Sequence, residues 1–170
     1  PEMRNDQPAF AGVFQPSAFG IDSVFDPRFS ALITMFDDLT DLYQQVILDH
    51  SKSPRNFRVL PDANRHAQGH NPVCGDNITL YLRMDGDRVA EASFQGSGCA
   101  ISKASSSILT ETLKGKTKAE AKDLFEKVRA MVTTGQSPEG DFGKLAVFTG
   151  VHKFPARVKC AILPWHAAMA

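Results

Sequence analysis

The sequence predicts an α+β fold, a small antiparallel sheet of about three strands packed against helices. Three observations carry that expectation. Leu39, Leu42, Tyr43, Val46 and Ile47 recur at helical spacing near the start of the folded region. Ile78, Leu80 and Leu82 alternate with Thr79, Tyr81 and Arg83, an Asp85-Gly86-Asp87 turn follows, and Val89 to Phe94 returns as the second arm of a β-hairpin. Thr117 followed by Glu120 is a capping box, which opens a later helix.

Taken in order, the first helix is expected over about 37–51, with Pro54 marking its end. Residues 52–75 read as a polar loop carrying Pro54, Pro61, Gly69 and Pro72, with a short strand just before Cys74. The hairpin comes next. After Gly96-Ser97-Gly98 the pattern turns helical over about 100–114, and Gly115 sits where a C-terminal cap belongs. The capped helix runs over about 118–132 with Ala121, Leu124, Val128 and Met131 on one face. A Gly/Pro/Ser loop spans 134–143, and Leu145 to Phe148 form a helical turn. Pro155 suits the first turn of a last helix over about 155–168, which Pro164 is expected to interrupt.

Residues 1–34 look different. They carry Pro1, Pro8, Pro16 and Pro27, together with Phe10, Phe14, Phe19, Phe25 and Phe29, and show no periodicity. They are expected to be an N-terminal extension, either flexible or a docking arm, ahead of a folded domain at 35–170. Charge narrows the partners. Nineteen Lys and Arg balance nineteen Asp and Glu, so the basic excess of a nucleic-acid-gripping protein is missing. No apolar run approaches the ~18 residues that span a bilayer. Neither nucleic acid nor membrane is an expected partner. No signal-peptide pattern opens the chain, so the cytoplasm is the default compartment.

Chemistry concentrates on Cys74, Cys99 and Cys160. An odd number of cysteines cannot close entirely into disulfides, and in a reducing compartment all three are thiols. The plain alternative is three small buried hydrophobes. Against it, Cys99 and Cys160 fall near helix N-termini, where the dipole favours a thiolate. Glycines beside Cys74 and Cys99 leave room for a group to approach the sulfurs. Asp76 stands two residues beyond Cys74. Three thiolates and one carboxylate form a tetrahedral set for zinc or cluster iron. No Cys-x₂-Cys pair of the closed structural kind exists, which hints at a site whose metal or sulfur must leave. Cys-Gly-Asp also occurs as an ordinary turn.

Four segments then carry a resemblance. They are Leu42 to His50 (LYQQVILDH), Asn71 to Asp76 (NPVCGD), Gly96 to Ser102 (GSGCAIS) and Phe154 to Cys160 (FPARVKC). In these the chain resembles the SufU branch of the IscU-like iron–sulfur cluster assembly family, over about 37–168 with all motifs in order. The resemblance implies the α+β scaffold fold with its three cysteines gathered at one end. General scaffolds of the family have a His directly before the third Cys, whereas Lys159 stands here. The stretch between Cys99 and Cys160 is also longer than in those scaffolds. Both departures point to the SufU branch.

By that resemblance Cys74, Asp76, Cys99 and Cys160 would be ligands of Zn²⁺, and Cys74 the acceptor of persulfide sulfur from a SufS-type cysteine desulfurase. Downstream cluster assembly or acceptor proteins would be further partners. The rival within the family is a scaffold that assembles a transient [2Fe–2S] cluster on the same cysteines. A third possibility is a zinc module whose metal only staples the fold. His70, four residues before Cys74, is the best placed of five histidines to reach the site, and Lys159 is expected as a positive neighbour of the thiolates. Gly96-x-Gly98 lacks the third glycine of a dinucleotide fingerprint.

Overall fold

Alternation along 76–82 decides which side of the chain is wet. Asp76, Ile78 and Leu80 point to one face and are buried there, while Asn77 is exposed. The computed structural model describes residues 41–136, 140 and 142–170. The predicted extension 1–34, and its boundary with the folded part, lie outside these residues. The described elements run α1 (41–52), β1 (Arg65–Asn71), β2 (Asp76–Asp85), β3 (Arg88–Ser97), α2 (Ala100–Leu113), α3 (Lys118–Thr134), a run of 3₁₀ turns (Gly143–Lys153) and α4 (Pro155–Met169). The expected α+β class is what forms.

The sheet is antiparallel throughout, in the order β1-β2-β3. Leu80 pairs with Ala67 on one side and Phe94 on the other, which builds an apolar row across the inner face. Helix α4 packs over β1 and β2, and α2 packs over β3 and against α4. Gly69 lets α4 come close to β1, since a Cβ there would lie 3.0 Å from Leu163. Phe94, Ile108, Leu109, Leu113, Met131, Phe148 and Trp165 fill the space between the layers and are all but sealed from solvent. Each such side chain contributes roughly 1.5–3 kcal/mol by leaving water.

Local expectations meet three outcomes. The Thr117–Glu120 capping box forms in both directions, and Gly115 and Gly135 adopt the left-handed conformation that ends α2 and α3. The loop 52–75 is shorter than expected, because β1 already starts at Arg65 and pairs seven residues with β2. Its mixed His, Gln and Asn composition hides it, since an edge strand faces water on one side. Likewise the 3₁₀ run extends well beyond Leu145–Phe148. Pro164 does not interrupt α4. Proline removes a single donor, the one that would meet the Cys160 carbonyl, and the buried Pro164 and Trp165 hold the helix through that gap.

Candidate metal centre

Three chain segments converge where the sheet ends. Asp76 is the first residue of β2 and pairs with Asn71, the last of β1, so both stand on the helix-covered face below Ile78. The four residues between them, Pro72 to Gly75, form the turn that carries Cys74, and Gly75 takes a positive φ of 69° to close it. On the other side Asn77 pairs with Ser97, which delivers Gly98 and Cys99 beside Asp76. The start of α4 brings Cys160.

One ligand atom each from Cys74, Asp76 and Cys160 lies within 4.8 Å of the others. A zinc ion at about 2.3 Å from sulfur and about 2.0 Å from oxygen sets tetrahedral ligands less than about 4 Å apart, so the space between these atoms suits it. Asp76 and Cys160 are fully buried, while Cys74 is half-buried in its turn. A buried carboxylate among sulfurs, with no basic side chain sealed in beside it among the described residues, is the donor chemistry of a metal site. Asp76 Oδ1 accepts the Cys99 backbone N–H at 2.8 Å. Cys99 itself caps α2: its sulfur accepts the Ser102 N–H at 3.5 Å. It stands outside the 4.8 Å group.

Burial pushes the Cys160 thiol well above its ordinary pKa, and its contacts with Asp76, Cys74 and Cys99 add to the rise. Without metal it is a thiol, and its S–H points to the Ala156 carbonyl at 3.6 Å. Arg157 lies against Cys74. Its Nη1 is 3.7 Å from Cys74 Sγ, and its pKa is raised by the nearby Cys99, Cys160 and Cys74.

His70, the best placed of the histidines in sequence, lies elsewhere, as does His50. His70 is exposed on β1, opposite Asn77. His50 is buried against Ser107, 2.8 Å from its Oγ, on the other flank of α2. Lys159 is exposed, and a cation that reaches Cys74 is Arg157, two residues earlier. Gly98 has a different purpose from the one expected: the room it leaves is taken by the Asp76 carboxylate, not by an approaching group.

Two contributors escaped the sequence reading. Asn71 Nδ2 lies 3.4 Å from both Asp76 Oδ2 and Cys160 Sγ, while its Oδ1 accepts the Val73 N–H at 3.2 Å. An Asn before Pro marks a turn, which signals the Val73 contact but not the other two. For Arg157 the sequence offered a charge on the surface or next to the ligands, and not its contact with Cys74. Its position three residues before Cys160, almost one turn of α4, is what aims it at the site.

A sheet end closed by two helix starts, holding thiols and a buried carboxylate, is a candidate metal centre whose donors suit zinc or cluster iron. Residues 42–161 match the NifU-like N-terminal domain, and the chain belongs to that family. It is 44% identical over 131 residues to the zinc-dependent sulfurtransferase SufU of Bacillus subtilis, covering 76% of this chain and 88% of that one. To the iron–sulfur cluster assembly scaffold protein IscU of Streptococcus pyogenes it is 41% identical over 130 residues, 76% and 81% of the two chains. The fold matches the crystal structure of a protein described as a cluster assembly scaffold for the SUF system, from Fervidobacterium islandicum AW-1. The TM-score is 0.68 at 37% identity, over 72% of this chain and 90% of that one. A NifU-like N-terminal structure from Brucella abortus matches with a TM-score of 0.69 at 26% identity, over 77% and 92%. Among the described residues no helix is long and apolar enough to cross a membrane.

Proposed function

We propose that this chain is a zinc-dependent sulfurtransferase of iron–sulfur cluster assembly, which accepts persulfide sulfur from a SufS-type cysteine desulfurase in the cytoplasm. The observation that carries the reading is the pairing of two sealed donors, Asp76 and Cys160, with one approachable sulfur, Cys74. Cys99, whose sulfur caps α2 beside this group, would complete the ligand set. Bound zinc would hold the thiolates deprotonated and protected at neutral pH.

The remaining work falls to the chain's own groups. The Cys74 thiolate attacks the outer sulfur of the desulfurase persulfide, a new S–S bond forms on Cys74, and the desulfurase cysteine leaves as a thiolate. No net oxidation occurs. Arg157 supplies a positive charge beside the sulfur that receives the group. Val73, next to Cys74, and Phe154, at the head of α4, are exposed apolar side chains on the segments that carry the sulfurs, and suit a docked protein partner. The sulfur then passes to downstream assembly or acceptor proteins.

A second reading has its own support. The Streptococcus pyogenes relative is named as a scaffold at a similar identity, and the same cysteines with Asp76 are a possible donor set for a [2Fe–2S] cluster. Lys159 in place of a histidine favours the first reading. The deciding experiment pairs metal analysis with incubation of the purified protein with desulfurase and cysteine. The sulfurtransferase reading expects about one zinc per chain and a persulfide on Cys74. Stable thiolate-to-iron absorption after anaerobic reconstitution, with no sulfur acceptance, would favour the scaffold.

A further inference from the structure

Asn71 does something at this site that its turn does not require. An Asn-Pro turn needs only the side-chain oxygen, which here takes the Val73 N–H at 3.2 Å and so pins the loop of Cys74. The amide nitrogen is free to face solvent or any backbone carbonyl. Instead it is buried, with Asn71 5% exposed, and lies 3.4 Å from Asp76 Oδ2 and 3.4 Å from Cys160 Sγ. Both are atoms of the candidate donor set. A carboxamide NH₂ has two hydrogens, one for each.

We infer that Asn71 is the positioning residue of the metal centre, one carboxamide that sets the spacing of Asp76, Cys160 and the Cys74 loop together. Burial makes the role necessary. Asp76 and Cys160 are both sealed from water, so a buried carboxylate and a buried sulfur each need a donor aimed at them. Asp76 Oδ1 has the Cys99 N–H, whereas Oδ2 depends on Asn71. Among the described residues the side-chain donor to Cys160 is Asn71. It is fixed in a strand, opposite Asp76 in the register, and so it holds its hydrogens in place before the metal arrives. Such partners of ligands typically govern metal affinity by about 10–100-fold.

This inference rests on the metal-centre reading, and the test uses metal alone, without desulfurase. Asn71→Ala removes the donor and the loop pin. Asn71→Asp keeps the acceptor for Val73 N–H and replaces the donor by a like charge, so it isolates the proposed role if the alanine variant does not fold. Zinc affinity is read by competition with a chromophoric chelator, and ligand geometry by the visible absorption of the cobalt-loaded protein. Both variants should lose about 10–100-fold in zinc affinity, Asp at least as much as Ala, with altered cobalt bands. Affinity within twofold of wild type in the aspartate variant, or an unchanged cobalt spectrum, would overturn the role. Failure of the wild type to accept sulfur would instead count against the proposed function and leave the Asn71 result standing.

Discussion

The Asp76 carboxylate rests against the α-carbon of Gly98. A Cβ at position 98 would fall 2.8 Å from Asp76 Oδ1 and 3.3 Å from its Cβ and Cγ. The glycine thus lets β3 deliver the Cys99 N–H to the carboxylate at 2.8 Å, and a single methyl would separate the two. Gly98→Ala is therefore expected to displace Asp76, lowering zinc affinity by about tenfold or more. Chelator competition checks it, and circular dichroism confirms a wild-type fold. Unchanged affinity would mean the carboxylate does not ligate from this position.

Arg157 should act on rate, not on metal content. Its guanidinium lies beside Cys74 but belongs to an exposed side chain, so its contribution is screened by salt. Arg157→Ala is expected to slow Cys74 persulfide formation several-fold at low ionic strength, less at high, with zinc retained. Arg157→Lys should recover part of the rate, because it keeps the charge and loses the fork. Stopped assays with mass spectrometry at two salt concentrations give the answer. Loss of zinc in the lysine variant would assign Arg157 to the structure of the site instead.

The residues that fold locally were the legible ones. The hairpin, the Thr117 cap and the glycine after α2 follow from alternation and backbone preference within a few positions, and each forms. Cys74, Asp76, Cys99 and Cys160 were singled out together by three thiols, a carboxylate two residues from one of them and the motifs around them, and Cys74, Asp76 and Cys160 lie together. What the sequence hid depends on register. Asn71 meets Asp76 only because β1 is long enough to pair with β2, and β1 lacked an apolar pattern. Gly98 reads as a gap for a ligand until the neighbouring strand fills it. Pro164 reads as a helix stop, since packing around Trp165 is a tertiary effect. Trp165 shows the same point. Its Nε1–H reaches the Ser105 hydroxyl at 3.2 Å, and that hydroxyl donates to the Ala161 carbonyl at 2.6 Å, tying α4 to α2 beside Cys160.

His50 should make stability depend on acid. Burial lowers its pKa below the ordinary 6.5, with Arg55 and Lys144 acting in the same direction and Glu111 and Asp49 opposing. The folded state therefore binds fewer protons than the unfolded one below about pH 6.5. The stability this neutral ring contributes is complete above that pH and is lost as pH falls through the folded-state pKa. Urea midpoints from pH 8 to pH 5 should drop more steeply for wild type than for His50→Gln, which keeps a polar partner for Ser107 and cannot titrate. Parallel slopes would move the acid sensitivity elsewhere.

Asp76 tests why the site holds a carboxylate at all. Oxygen from a carboxylate binds zinc less tightly than a thiolate, and Asp76 is also committed to the Cys99 N–H through one of its oxygens. That shared loyalty suits a site in which Cys74 must remain available to an incoming persulfide. Asp76→Cys would create the four-sulfur set of closed structural zinc sites. It is expected to retain zinc longer against a chelator and to accept sulfur about tenfold more slowly or worse. Asp76→Ala should lose zinc quickly and leave the three thiols open to oxidation, seen as sulfinic or disulfide masses after exposure to peroxide. The two readouts together decide the matter, zinc half-life and the rate of Cys74 persulfide formation across wild type and both variants. If the cysteine variant held zinc more tightly yet accepted sulfur at the wild-type rate, the carboxylate would be a ligand without being the reason the site turns over.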